Sequence, residues 1–238
     1  MKITEAVWEK RNLGVDTIEV TFENKDGLDE IEKQIEILDK EYVVLRIPSD
    51  RPDILWFMEK CNYRYVEDIV ELVSYLRPVS QSSVQKRVYD SIAVEQMNVQ
   101  DIEALLCEVK QGMFATDRIS LDDFFKPEQA KQRYANWIQD EMAGKTEFLK
   151  YTYKGNTIAF FTLKELEEGY YDVPLGGFYK QYRNSGMGAI VKVPEEVKKR
   201  GGKKVRTNVS TNNLPQIRNL IINGYIPESI SHIFIKHC

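Results

Sequence analysis

Fold class turns on the stretch Lys180-Gln181-Tyr182-Arg183-Asn184-Ser185-Gly186-Met187-Gly188-Ala189. It follows a strand-patterned segment, about Tyr170 to Tyr179, and opens a helix-patterned one, about Gly186 to Arg200, which Gly201-Gly202 stops. Gly186 and Gly188 lack Cβ atoms, so a ligand's phosphate can approach the backbone. Successive amides at a helix N-terminus present partial positive charge to an anion. Arg183 adds a full charge where the loop begins. Taken alone, the loop admits two readings, a phosphate cradle or a structural turn. Pro194 inside the following helix predicts a kink, or a helix restarted at Pro194 with Glu195 and Glu196 in its first turn.

Working outward, Val205 to Val209 reads as a strand. Asn212 or Asn213 caps a helix that ends at Asn223-Gly224, and Ile226 to Ile235 is β-prone. Upstream, a strand is expected near Val88 to Ala93. Asn98 caps a helix with Ile102, Leu105, Leu106 and Val109 on one face, and a second helix starts near Pro127. Glu147 to Tyr153 and Thr157 to Leu163 flank Lys154-Gly155-Asn156 as a hairpin.

The polar, Ser-rich segment Arg77 to Gln85 reads as a linker. Before it, Val15 to Phe22, the helical spacing of Leu28, Ile31, Ile35 and Leu38, the apolar run Tyr42 to Ile47, a helix from Pro52 to Cys61 and a run from Tyr65 to Leu76 give β-α-β-α-β. The second half ends in the same order. Glu59-Lys60-Cys61-Asn62-Tyr63 and Ile222-Asn223-Gly224-Tyr225 share a local texture, so either internal duplication or the general likeness of α/β units accounts for it. The division expected is residues 1–82 and 83–238.

Composition narrows the function. With 33 Lys+Arg against 37 Asp+Glu in 238 residues, the net charge of −4 argues against a protein that grips a nucleic-acid backbone. No run approaches the roughly 20 apolar residues of a membrane span. Cys61, Cys107 and Cys238 are dispersed, which fits a reducing cytoplasm and gives no CxxC site. His232 and His237, both near the end, make a zinc site or a Ser-His-Asp triad improbable. No metal, nucleic acid or membrane partner is expected.

The pattern Arg183-x-x-Gly186-x-Gly188, between strand and helix, resembles the pyrophosphate loop of the GCN5-related N-acetyltransferases (GNAT superfamily). The likeness extends through the later strand and the Asn213 to Gly224 helix, and upstream to about Val88. Trp8-Glu9-Lys10-Arg11-Asn12-Leu13-Gly14, Arg118 with Phe124-Phe125, and Arg133 to Ile138 look like the sugar-nucleotide aminosugar N-acetyltransferases, typified by those acting on dTDP-fucosamine.

The resemblance implies an α/β fold with a mixed central sheet flanked by helices. A partial acetyltransferase-like N-terminal domain would precede the catalytic one. It implies acetyl-CoA as cofactor and a small primary amine as acceptor, most naturally an amino-sugar nucleotide. The alternatives are another amine or peptide, or a non-catalytic acyl-CoA-binding protein. A homodimer is an assembly to test.

The implied cofactor contacts are Gly177, Phe178, Arg183, Asn184, Ser185, Gly186, Met187, Gly188 and Asn213. Arg118 is a candidate for an acceptor diphosphate. The family's thiolate-protonating tyrosine, counted seven residues from Asn213, falls on Leu220, which cannot donate a proton. Tyr225, His232 or solvent are the substitutes, and Glu165 is the candidate acceptor-side carboxylate. The first half has Phe22-Glu23-Asn24-Lys25-Asp26-Gly27-Leu28 between its first strand and helix, acidic and without arginine. It should not hold a phosphate.

Overall fold

The computed structural model describes residues 1–36, 38, 40–183, 185 and 191–238. The first half holds β1 (Lys2–Glu5), α1 (Val7–Leu13), β2 (Thr17–Thr21), α2 (Leu28–Glu36), β3 (Tyr42–Pro48), α3 (Pro52–Lys60) and β4 (Arg64–Ser74). The second opens with α4 (Ser83–Asp90), β5 (Ile92–Gln96), α5 (Val99–Lys110), α6 (Arg118–Leu121) and α7 (Pro127–Met142). It continues through β6 (Glu147–Tyr153), β7 (Asn156–Glu167), β8 (Tyr170–Asp172) and β9 (Gly176–Phe178). It ends with α8 (Val193–Lys199), β10 (Lys204–Ser210), α9 (Leu214–Ile222) and β11 (Ile226–His237).

Local chemistry explains most boundaries. Pro52 sits in the first turn of α3, where its missing N–H costs nothing. Asn98 and Asp101 form a reciprocal capping box for α5. Gly14 closes α1 at φ +81°. Two expectations are corrected. Val88 to Asp90 is helical rather than extended, because the Ser82–Gln85 capping box starts α4 upstream and delays the strand to Ile92. The segment Tyr170 to Tyr179 is two strands, broken at Val173-Pro174-Leu175. Of the two outcomes expected for Pro194, the helix start is the one seen: α8 begins at Val193, with Pro194, Glu195 and Glu196 in its first turn. β1 and α1 escaped the sequence reading.

The described strands form one sheet in the order β1-β2-β3-β11-β4-β10-β8-β7-β6-β5, with β9 paired to β7 beside this path. The centre has a pseudo-twofold pattern. β2 is parallel to β3 and β8 is parallel to β10. β11 lies antiparallel on β3, β4 lies antiparallel on β10, and β4 and β11 pair antiparallel with each other. Each half has lent its last strand to the other, so that β11 separates β3 from β4 and β4 separates β10 from β11. The matched β-α-β-α-β order of the halves therefore has a geometric counterpart.

The cores follow the exchange. Val70 and Leu72 of β4 belong to the second half's core, with Ile158, Phe161, Val205 and Leu220. Phe234 of β11 belongs to the first half's core, with Ile31, Leu45, Ile54 and Met58. Among the described residues no helix is long and apolar enough to cross a membrane.

Leu72 and Phe234 are both almost wholly buried. Leu72→Ala and Phe234→Ala should each cost about 2–5 kcal/mol. Both should lower the same single unfolding transition in urea, read by tryptophan fluorescence and near-ultraviolet circular dichroism. Two separate transitions, each sensitive to one substitution, would contradict the shared sheet.

Candidate functional site

A cleft of about 1080 Å³ opens where two neighbouring strands part. β8 pairs with β10 from Tyr170–Lys204 to Asp172–Arg206. The Val173 N–H then donates to the Arg206 carbonyl at 2.9 Å, and the Thr207 hydroxyl donates to the Val173 carbonyl at 3.0 Å. Beyond Pro174, buried Thr162 draws the chain toward β7. Its N–H donates to the Leu175 carbonyl at 2.8 Å, and its hydroxyl oxygen accepts from the Leu175 N–H at 2.9 Å. β9 consequently pairs with β7 alone, while Asn208 to Ser210 pair with β4. Gly176 to Phe178 line one wall of the cleft and Thr207 to Ser210 the other.

Register decides which backbone groups face the gap. Leu175–Thr162 and Tyr179–Ile158 are joined by hydrogen bonds, so the antiparallel alternation turns the Gly177 amide and carbonyl toward Phe160. It turns those of Gly176 and Phe178 toward the cleft. Arg183 confirms the direction: its Nε donates to the Phe178 carbonyl at 3.4 Å and its Nη2 to the Gly112 carbonyl at 3.2 Å. A Cβ at Gly177 would lie 2.9 Å from the Met113 sulfur, so a larger residue there would require the Met113 side chain to move.

Gly177, Phe178, Arg183, Asn213 and Tyr225 all line this cleft. The Asn213 side chain accepts from the Gln216 N–H at 3.3 Å and caps α9. Ser185 folds back, its hydroxyl donating to the Tyr182 carbonyl at 2.6 Å. Asn184, Gly186, Met187 and Gly188 lie outside the described residues. Lys192 is anchored in the core: its N–H donates to the Tyr151 hydroxyl oxygen at 3.0 Å and its Nζ donates to the Ile92 carbonyl at 2.6 Å.

Leu220 and Tyr225 stand together on the cleft, both buried, with the Tyr225 N–H donating to the Leu220 carbonyl at 3.0 Å. Burial pushes the Tyr225 hydroxyl pKa well above the ordinary tyrosine value, so it keeps its proton at any physiological pH. His232 and Glu165 are not among the cleft-lining residues. His232 faces its cross-strand partner Asp68, Nδ1 to Oδ1 at 2.6 Å. Glu165 accepts from the Gly169 N–H at 3.1 Å and closes the β7–β8 turn.

Arg118 lines the cleft, but its Nη2 is bound by Glu9 at 3.0 Å and by Glu19 at 2.6 Å. Burial opposes its charge, and Glu19, Tyr42 and Glu9 more than offset this, raising its pKa. Glu9, fully buried on α1, also takes Arg133 Nε at 2.8 Å, and Asn136 Nδ2 donates to Asn12 Oδ1 at 2.7 Å. The three segments Trp8–Gly14, Arg118 and Arg133–Ile138, distant in sequence, thus meet at one mouth of the cleft.

Sequence reasoning missed Arg46, Glu67 and Asp172, which also line the cleft. The available signal was a charge inside an apolar strand run, as in Tyr42-Val43-Val44-Leu45-Arg46-Ile47.

No family model matches the chain, and no curated protein matches it in sequence. Solved structures do match in fold. A functionally unknown conserved protein from Staphylococcus epidermidis aligns with TM-score 0.61 and 11% identity, over 93% of this chain and 84% of the other. A GCN5-related N-acetyltransferase from Sphaerobacter thermophilus aligns with TM-score 0.55 and 16% identity, over 87% of this chain and 64% of the other. A tandem GNAT protein of the clavulanic acid biosynthesis pathway aligns with TM-score 0.53 and 11% identity, over 87% and 66%. This chain has the mixed α/β sheet of GCN5-related N-acetyltransferases.

Thr162→Val keeps the shape but strands the Leu175 N–H. It should cost about 1–3 kcal/mol. Urea unfolding measures this, and a change below about 0.5 kcal/mol, the usual size of a neutral surface substitution, would show that Thr162 does not hold the strands apart.

Proposed function

We propose that the protein is an acetyl-CoA-dependent N-acetyltransferase for a small primary amine. The observation that carries this is the parting of β9 from β10, with outward backbone groups on Gly176 and Phe178 beside Arg183. An extended amide-bearing arm fits such an edge because it can continue the broken ladder. Phe178 and Gly176 would hold the pantetheine arm. Arg183, with the residues that follow it through Gly188, would hold the pyrophosphate. Acetyl-CoA, when bound, supplies an acetyl group activated as a thioester.

The chain's own residues do the rest. β9 and β10 orient the arm, and the cleft excludes water around Leu220. Tyr225, which lines the cleft with Leu220, would take over the role of the family's tyrosine as proton donor. The first half lacks the equipment for a second cofactor. Its corresponding loop turns the carbonyls of Glu23, Asn24 and Asp26 inward, onto Arg51 Nη1 at 3.3, 3.0 and 2.9 Å. A loop that cages a guanidinium with oxygens repels a phosphate.

For the acceptor, an amino-sugar nucleotide is the reading favoured by the meeting of Trp8–Gly14, Arg118 and Arg133–Ile138 at the cleft mouth. Calorimetry should show acetyl-CoA binding that Gly188→Trp abolishes. Lack of binding by the intact protein would sink the reading. Tyr225→Phe should lower kcat by about 10–100-fold with little change in KM, read by thiol release over a panel of amines. Unchanged kcat would leave the proton to solvent.

A further inference from the structure

Four strands place Thr21, Arg46, Ile233 and Glu67 in one transverse row. Thr21 is the register partner of Arg46, Arg46 of Ile233, and Ile233 of Glu67. Thr21, Arg46, Ile233 and Glu67 all line the cleft. Adjacent strands lie about 4.8 Å apart, so the backbones of Arg46 and Glu67, two strands apart, are separated by about 10 Å. Ile233, buried and apolar, floors the space between them.

The two charged ends are both incompletely partnered. Glu67 is only 3% exposed. Its Oε1 accepts the Arg118 N–H at 2.7 Å, while Oε2 has no hydrogen-bond partner of good geometry among the described residues, and burial pushes the carboxyl pKa up against the help of Ser210 and Arg118. Arg46 is half-buried. Among the described residues its guanidinium makes no ion pair and donates no hydrogen bond, unlike Arg118 and Arg133 in the same cleft. Burial, with Arg118 repelling it, lowers the Arg46 pKa, while Glu19, Glu71 and Glu67 favour its charge from a distance. A buried carboxylate oxygen and a half-buried guanidinium that leave each other unpaired, an apolar side chain apart, are costly unless a ligand completes them.

We propose that the Arg46–Ile233–Glu67 row is the acceptor subsite and that it selects an amine bearing an anionic group. Arg46 takes the carboxylate or phosphate of the acceptor, Glu67 takes its ammonium, and Ile233 carries the carbon skeleton between them. This rests on the acyltransfer reading above and assigns the acceptor's anion to Arg46 instead of Arg118, whose charge Glu9 and Glu19 already occupy. Glu67 stands on β4, the strand the first half lends to the second, and Ser210 of β10 is the register partner of Ile69 on that strand. The subsite thereby abuts the wall of the cofactor wedge.

The test follows thiol release from acetyl-CoA with glucosamine 6-phosphate, 4-aminobutyrate and glucosamine. The first two separate a phosphate from a carboxylate, and the third lacks the anion. At least one anionic amine should exceed glucosamine in kcat/KM by about tenfold or more, the value of one charge-assisted hydrogen bond. Arg46→Gln should remove that preference through KM for the amine, Arg46→Lys should restore most of it, and KM for acetyl-CoA should stay within about twofold. Glu67→Gln should weaken all three amines alike. Equal use of the three amines, or a preference that survives Arg46→Gln, overturns the subsite.

If no amine turns over, the same three are titrated calorimetrically into the protein with coenzyme A. Binding of an anionic amine that Arg46→Gln abolishes supports the subsite, and absence of binding overturns it. Acetyl-CoA binding is read separately. A protein that binds glucosamine 6-phosphate through Arg46 but never binds acetyl-CoA keeps the subsite and loses the acyltransfer reading.

Discussion

Everything in this molecule hangs on the antiparallel pairing of β4 with β11. Neither strand sits in its own half's simplest position. β11 satisfies the backbone of β3, and β4 satisfies that of β10. Separating the halves would strip hydrogen-bonding partners from four strands at once and would expose Leu72 and Phe234, each placed in the other half's core. Unpaired buried backbone groups are too costly for that separation to leave two folded pieces. Ser82 starts α4, and the sheet runs across that point of the chain.

The exchange also shapes the cleft. A wedge between β9 and β10 needs something to hold β10 on its other edge while β9 leans toward β7. That anchor is β4, paired with β10 from Ser74–Val205 to Ile69–Ser210. On the departing side, Thr162 holds Leu175 through both of its polar backbone atoms. Because β4 and β11 continue the same sheet, the lining of the cleft passes from β10 onto first-half strands. The first half thus contributes Arg46, Glu67 and the α1 residues Trp8 and Asn12 to that lining.

What was legible in the sequence was mostly local. Helix caps at Asn98 and Asn213, the Lys154-Gly155-Asn156 hairpin and the apolar run of β3 declare themselves through nearest neighbours and period. Non-local consequences stayed hidden. Nothing in Val173-Pro174-Leu175 announces that Thr162 will divert it, and nothing in the pattern of β4 or β11 says which half it will join. Two candidate side chains, the acceptor-side Glu165 and the proton donor His232, lie off the cleft for a related cause. Glu165 and His232 drew notice as reactive types near the right elements, yet one closes a turn and the other pairs with Asp68. Arg46 and Glu67 owe their placement to a row across four strands, which only the register reveals.

The pseudo-symmetry of the sheet is not matched by the chemistry of the two halves. Two loops occupy equivalent positions, one after β2 and one after β9, each leading to the helix that returns to a parallel strand. In the first half, Arg51 holds that loop closed from inside by gathering three carbonyls, and Asp53 binds the same guanidinium at 2.9 and 2.7 Å. The arginine is thus a structural fastener with its charge consumed. In the second half, Arg183 contacts only the carbonyls of Phe178 and Gly112, and no carboxylate among the described residues pairs with it. Arg51 follows β3 and Arg183 follows β9, so the two arginines stand at different places in the repeat, and they differ in whether their charge is already spent. That criterion also separates Arg118 from Arg46. In a chain of net negative charge, a ligand anion is drawn to the few cations that the protein has left unneutralised.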